Sequence, residues 1–111
     1  KQYAEAEAEL QKELTLSQGG SVPLSALGYV YAVTGRRADA EQVLAQLQQK
    51  YEEKLADPLY VALVYVGLGD KEQAFAWLSK IAGKHMIRLA LIDERFDSIR
   101  NDPRIPGLLP K

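Results

Sequence analysis

Cysteine is absent from the 111 residues, so histidine, serine and paired carboxylates are the side chains left to do chemistry. Without a thiol there is no thiolate nucleophile, no cysteine-ligated zinc and no disulfide. His85 is the single histidine. A general base or a metal site needs a partner at a set spacing, and no His-x-x-x-His or paired Asp/Glu arrangement surrounds it. It follows Gly83 and Lys84 near the expected end of a helix, where a cation suits the dipole. Asp93, Asp97 and Asp102 do not form a calcium loop, and their expected work is helix capping and surface solvation. Ser17, Ser21, Ser25 and Ser79 lack the strand-to-helix elbow of a nucleophilic serine. The run Gly67-Leu68-Gly69-Asp70 sits between two expected helices and reads as a corner, not a phosphate loop. These residues predict no catalytic group, no metal site and no cofactor.

The positioning elements follow from composition and pattern. A hydrophobic fraction of 47% with 26% charged residues predicts a single packed domain. The net charge of −1 argues against direct nucleic-acid binding, which draws on neutralised phosphates. Arg88, Arg95, Arg100 and Arg104 gather near the C-terminus, but Asp93, Glu94, Asp97 and Asp102 are interleaved with them. That is a mixed, solvated surface. No apolar run approaches the roughly 18 residues that span a bilayer, so no membrane contact is expected of this segment. The sequence opens at Lys1 without a visible signal peptide; the expectation is a cytoplasmic piece of a chain that continues upstream.

An internal repeat organises the rest. The stretch from Leu24, "LSALGYVYAVTGRRADAEQVLAQL", aligns with "PLYVALVYVGLGDKEQAFAWLSKI" from Pro58. Tyr31 falls on Tyr65, Gly35 on Gly69, Ala40 on Ala74, Leu44 on Leu78 and Leu47 on Ile81, each pair 34 positions apart. Gly28 falls on Ala62, small on small. Each unit predicts a helical hairpin. In the first, Leu24, Leu27, Gly28 and Tyr31 share one helical face, and Gly35 ends the helix by taking a left-handed backbone conformation. A second helix from about Ala38 carries Ala40, Val43, Leu44 and Leu47 on one stripe. In the second unit Asp57 caps and Pro58 opens the first helix. Gly69 closes it, and Asp70 with Gln73 has the form of a capping box for the next. Gly28 and Ala40 lack bulk where two helices must approach closely.

Residue types and period resemble the tetratricopeptide repeat, on Gly28, Tyr31, Ala40 and Leu44 in one unit and Ala62, Tyr65, Ala74 and Leu78 in the next. Leu24 and Pro58 stand where that family favours tryptophan, and Glu52 and Met86 where a proline often ends the unit. The resemblance implies an all-α, right-handed solenoid of helical hairpins. Two full repeats span 22–54 and 56–84, after the second helix of a preceding repeat (1–18) and before a C-terminal cap (85–111). In the leading helix Tyr3, Ala6, Leu10 and Leu14 face inward. The cap is expected as a helix around Met86 to Ile92 and two short turns, with Asp97 and Asp102 as caps and Pro103 at a first helical position. Leu89, Ile92, Phe96, Ile99, Ile105, Leu108 and Leu109 would form its inner side, because a solenoid end needs a terminator.

"YVALVYVGLGDKEQAFAWL" followed by "DERFDSIRNDPRI" further resembles the closing repeats of bacterial multidomain signalling proteins, which implies a sensory or assembly module attached to an effector domain. By the same resemblance the first helix of each hairpin lines a concave groove. That maps Val22, Ser25, Ala26, Tyr29 and Val33 from one unit, with Leu59, Tyr60, Leu63 and Val66 from the next. The contact surface is expected at Tyr29, Val33, Leu59, Tyr60, Leu63 and Val66, and Leu63→Asp is expected to abolish partner binding with the fold intact. The lysine and asparagine of a carboxylate clamp are not at these positions. Three occupants compete for such an apolar groove: a peptide or partner helix, the chain's own C-terminal segment, or a second copy in a homodimer. An apolar cleft with tyrosines would also hold a small molecule. The expected function is non-catalytic protein–protein interaction or scaffolding; the alternative is a structural or homodimerising module with no external ligand.

Overall fold

The computed structural model describes residues 3–81, 94–100 and 102–103. Over them the chain forms α1 (Tyr3–Leu16), α2 (Ser21–Val33), α3 (Arg37–Glu52), α4 (Pro58–Leu68) and α5 (Lys71–Leu78). A 3-10 turn at Glu94–Phe96 then runs into a short helix, α6, at Asp97–Arg100. No strand occurs among the described residues, and no helix among them is long and apolar enough to cross a membrane. His85, Asp93, the helix expected around Met86 to Ile92, and the cap residues Leu89, Ile105, Leu108 and Leu109 lie outside the described residues.

The helix ends follow from the chemistry of the sequence. Gly35 and Gly69 have φ of 84° and 79°, and each closes a Schellman turn. The Arg36 N–H donates to the Tyr31 carbonyl (2.8 Å) and Gly35 N–H to Ala32; Asp70 N–H donates to Tyr65 (3.0 Å) and Gly69 N–H to Val66. The two tyrosines therefore hold the same place in the two turns. Gln18 (φ 56°) and Lys54 (φ 63°) close α1 and α3 in the same left-handed conformation without being glycine. Because a Cβ is strained there, Gly69→Ala is expected to cost about 1 kcal/mol in a urea melt, whereas Lys54→Gly loses nothing. A Gly69→Ala chain as stable as the parent would contradict this.

At the helix starts, the Asp57 carboxylate accepts from the Leu59 N–H (3.0 Å), with Pro58 opening α4. The Asp70 carboxylate accepts from the Gln73 N–H (3.1 Å). The return half of the expected capping box does not form, because the Asp70 N–H is already given to Tyr65 in the preceding turn. Helix α3 begins at Arg37, one residue ahead of expectation. The segment at Glu94 enters as a 3-10 turn and passes directly into α6. Asp97 is therefore inside a continuous helical run, not the residue before one.

Helix α2 packs on α1, α3 and α4, while α4 packs on α2, α3, α5 and the Glu94–Phe96 turn. Two apolar clusters result, and α4 feeds both. Its Val61 and Val64 join Leu24, Ala40, Val43, Leu44 and Leu47 on one side. Its Ala62, Leu63 and Val66 join Ala74, Phe75, Leu78, Ile81, Phe96 and Ile99 on the other. Hence α4, "PLYVALVYVGL", is apolar on every face, as suits a helix that feeds apolar clusters on two sides. The small residues sit where they are needed. Ala40, Ala62 and Ala74 are fully buried. Gly28 lies so tightly between α3 and α4 that a Cβ there would come within 2.7 Å of both Val43 Cγ1 and Val64 Cγ2. The second helices meet as well, through an edge-to-face pair of Tyr51 and Trp77 with ring centroids 5.0 Å apart.

Candidate functional site

The residues of α2 and α4 expected to make contact divide into covered ones and ones that keep exposed surface. Leu63 and Val66 are 4% and 7% exposed and belong to the cluster completed by Phe96 and Ile99. Both were expected to line an accessible groove; here the side chains returning from the C-terminal segment cover them. Tyr29 and Leu59 border that cluster and stay half-buried. Tyr60 is half-buried against the other cluster. Val33, at 36%, and Val22, at 60%, face solvent. Of the six residues expected to make contact, Tyr29, Val33, Leu59 and Tyr60 therefore retain exposed surface.

Ser25 is a fastener instead of a lining residue. It is 1% exposed, and its hydroxyl donates to the Tyr60 carbonyl at 2.8 Å, which ties α2 to the first turn of α4. One turn earlier Ser21 donates to the Leu55 carbonyl (3.1 Å). A buried hydroxyl has to find such a partner; the Ser21 bond, at the surface, ties α2 to the loop before α4.

A cleft of about 220 Å³ opens beside Tyr29. Its walls are Tyr3, Ala6 and Leu10 of α1 and Ala26, Tyr29 and Val30 of α2, with Arg95 at one side. The sequence placed Tyr3, Ala6 and Leu10 on an inward face but did not name them as site residues. Arg95 was read as part of a mixed surface, and nothing in the local pattern brings it to α1 and α2. Such a cavity, mostly apolar with two phenol rings and one guanidinium, suits an aliphatic or aromatic side chain. Among the described residues its lining carries no carboxylate, histidine or serine.

The two tyrosines of the repeat signature do similar work. The Tyr31 hydroxyl accepts from Gln11 of α1 (2.9 Å), and the Tyr65 hydroxyl accepts from Gln48 of α3 (3.1 Å). In each case a phenol in the last turn of a hairpin's first helix reaches back to a glutamine of the helix before it. Arg36 stacks on the Tyr31 ring, 4.4 Å from its centroid. Its guanidinium also donates to Glu7 (2.7 Å) and Asp39 (2.9 Å). The Glu7 bond above all, and then Asp39, hold the Arg36 guanidinium above its ordinary pKa.

No protein-family model matches the chain, and no curated protein or solved structure is significantly similar to it.

Proposed function

We propose that the chain is a non-catalytic interaction module of the tetratricopeptide-repeat type, working within a regulatory protein. It binds an apolar peptide or partner helix on the residues of α2 and α4 that keep exposed surface. The observation that supports this best is the equivalence of the two hairpins. α2/α3 and α4/α5 share a Schellman closure at Gly35 and Gly69, with Tyr31 and Tyr65 at the same place in each. Buried small residues occupy matching places, Gly28 with Ala62 and Ala40 with Ala74, and the two first helices lie against each other. Hairpins stacked in this way present their first helices as one continuous surface. On it Tyr29, Val33, Leu59 and Tyr60 keep partly exposed apolar area. Burying side chains of this size contributes on the order of 1.5–3 kcal/mol each before ordering costs.

A peptide selected on the immobilised chain from a random phage-displayed library provides the test. Val33→Asp is expected to weaken that peptide about tenfold or more, the range of a contact that matters at an interface. Ala45→Asp, on an exposed position of α3, is expected to leave affinity within about twofold, as a change outside the contact patch does. Equal loss in both variants, or in neither, would refute the placement of the site.

The structural alternative also has a specific observation in its favour, since Phe96 and Ile99 already cover Leu63 and Val66. If that cover leaves no room for a ligand, no peptide is selected. Sedimentation then separates a module that merely terminates an array, monomeric at all concentrations, from one that dimerises through Val33.

A further inference from the structure

Helix α1 is attached differently from the other four long helices. None of its residues is buried; Tyr3, Ala6, Leu10 and Leu14 reach only partial burial. Every other long helix contributes three or more buried residues. Two clefts open to solvent lie along the seam of α1 with α2: one of about 220 Å³ beside Leu10 and a second of about 170 Å³ between Gln11 and Leu14 of α1 and Leu24, Leu27 and Val43. Apolar atoms lining such clefts stay accessible to water, so the seam buries less apolar area than a closed one would. Much of what holds α1 is polar and at the surface, namely Gln11 to the Tyr31 hydroxyl and Glu7 to Arg36. The link to α2 runs through Gln18 and Gly19, consecutive residues with φ of 56° and 84°. A helix of 14 residues is marginal by itself in water, so leaving α2 also melts it.

We propose that α1 is a salt-sensitive latch pinned by Arg36. It releases from α2 as one unit, far more often than the hairpins unfold, and in doing so removes the Tyr3–Ala6–Leu10 wall of the cleft and uncovers Leu27. Arg36 is suited to pinning because one guanidinium joins three elements: it stacks on Tyr31 of α2 and pairs with Glu7 of α1 and Asp39 of α3. Both ion pairs are solvent-exposed, and exposed pairs weaken as salt screens them. The latch operates whether or not the cleft binds a peptide.

Native-state amide hydrogen exchange on the whole chain tests this, since local openings are read against the global one. The amides of Leu10 to Leu14 are expected to share one opening constant, about a hundredfold or more above that of the α4 core amides, a gap typical of separate cooperative units. Raising salt from about 20 to about 500 mM should speed exchange across α1 a few-fold and leave α4 unchanged once intrinsic rates are corrected. Arg36→Gln at low salt should reproduce that acceleration and remove the salt dependence. Because the chain has no cysteine, Leu27→Cys reports the uncovering directly: its thiol should be labelled at the α1 opening rate, well ahead of Leu78→Cys in α5. Three results would overturn the proposal: α1 amides exchanging in step with α4, rates grading from Tyr3 towards Leu16 as in simple fraying, or α1 exchange indifferent to both salt and Arg36→Gln.

Discussion

Leu63→Asp is expected to unfold the protein instead of leaving a folded chain that cannot bind. Leu63 is 4% exposed and sits among Ala62, Val66, Phe96 and Ile99. Truncating a buried leucine typically costs about 2–5 kcal/mol through lost transfer energy and the cavity left behind. An aspartate there adds a carboxylate with apolar neighbours, which costs several kcal/mol more whether it stays charged or takes up a proton. Together these rival the roughly 5–15 kcal/mol that stabilise a domain. Thermal melting by circular dichroism should show no cooperative transition, while Leu63→Met, which keeps volume and character, should melt within about 1.5 kcal/mol of the parent. A Leu63→Asp chain melting as cooperatively as the parent would mean that Phe96 and Ile99 do not cover this position.

Gly28→Ala should be destabilising even though alanine is the better helix former. In an exposed helix the exchange gains about 1 kcal/mol. Here the new Cβ would lie 2.7 Å from Val43 Cγ1 on α3 and 2.7 Å from Val64 Cγ2 on α4. Both obstacles belong to β-branched side chains whose rotamers are nearly fixed in a helix, so neither yields cheaply, and they press from different helices. Overpacking of this kind costs about 1–3 kcal/mol. The net expectation is a loss of about 1–2 kcal/mol in urea denaturation, with strain exceeding propensity. Val64→Ala should hurt less in the Gly28→Ala background than in the parent, because the two changes relieve each other and contacting residues are not additive. If Gly28→Ala proves more stable than the parent, α2 does not approach α3 and α4 as closely as described.

How much of this was legible in the sequence depended on whether a signal was local. Helix ends were readable because their causes lie within a few residues: Asp57 before Pro58, and Gly35 and Gly69 after the last turn of α2 and α4. The hairpin partners were readable because Gly28, Ala40, Ala62 and Ala74 repeat with the period, and a small residue at helical spacing marks a close crossing. The open side of the groove was not. Helix α4 is apolar on all faces, so no periodicity distinguishes the side meeting Leu44 and Leu47 from the side meeting Phe96 and Ile99. Assigning Leu63 and Val66 to a free surface required knowing where a segment some 30 residues downstream returns, and no local pattern encodes that. Ser25 was misplaced for a related reason: a serine on the predicted groove face looks solvated until the Tyr60 carbonyl is seen 2.8 Å away. Arg95 reaches the Tyr29 cleft by the same long-range return.

The approach of the two first helices at Gly28 underlies the side-by-side hairpins and the surface proposed on them. Nuclear Overhauser contacts from the Gly28 α-protons, in methyl-labelled protein, test it most directly. Side-by-side hairpins predict cross-peaks from Gly28 to the methyls of both Val43 and Val64 in the same spectrum. Contact with Val43 alone would leave one hairpin intact without its neighbour and would contradict the stacking.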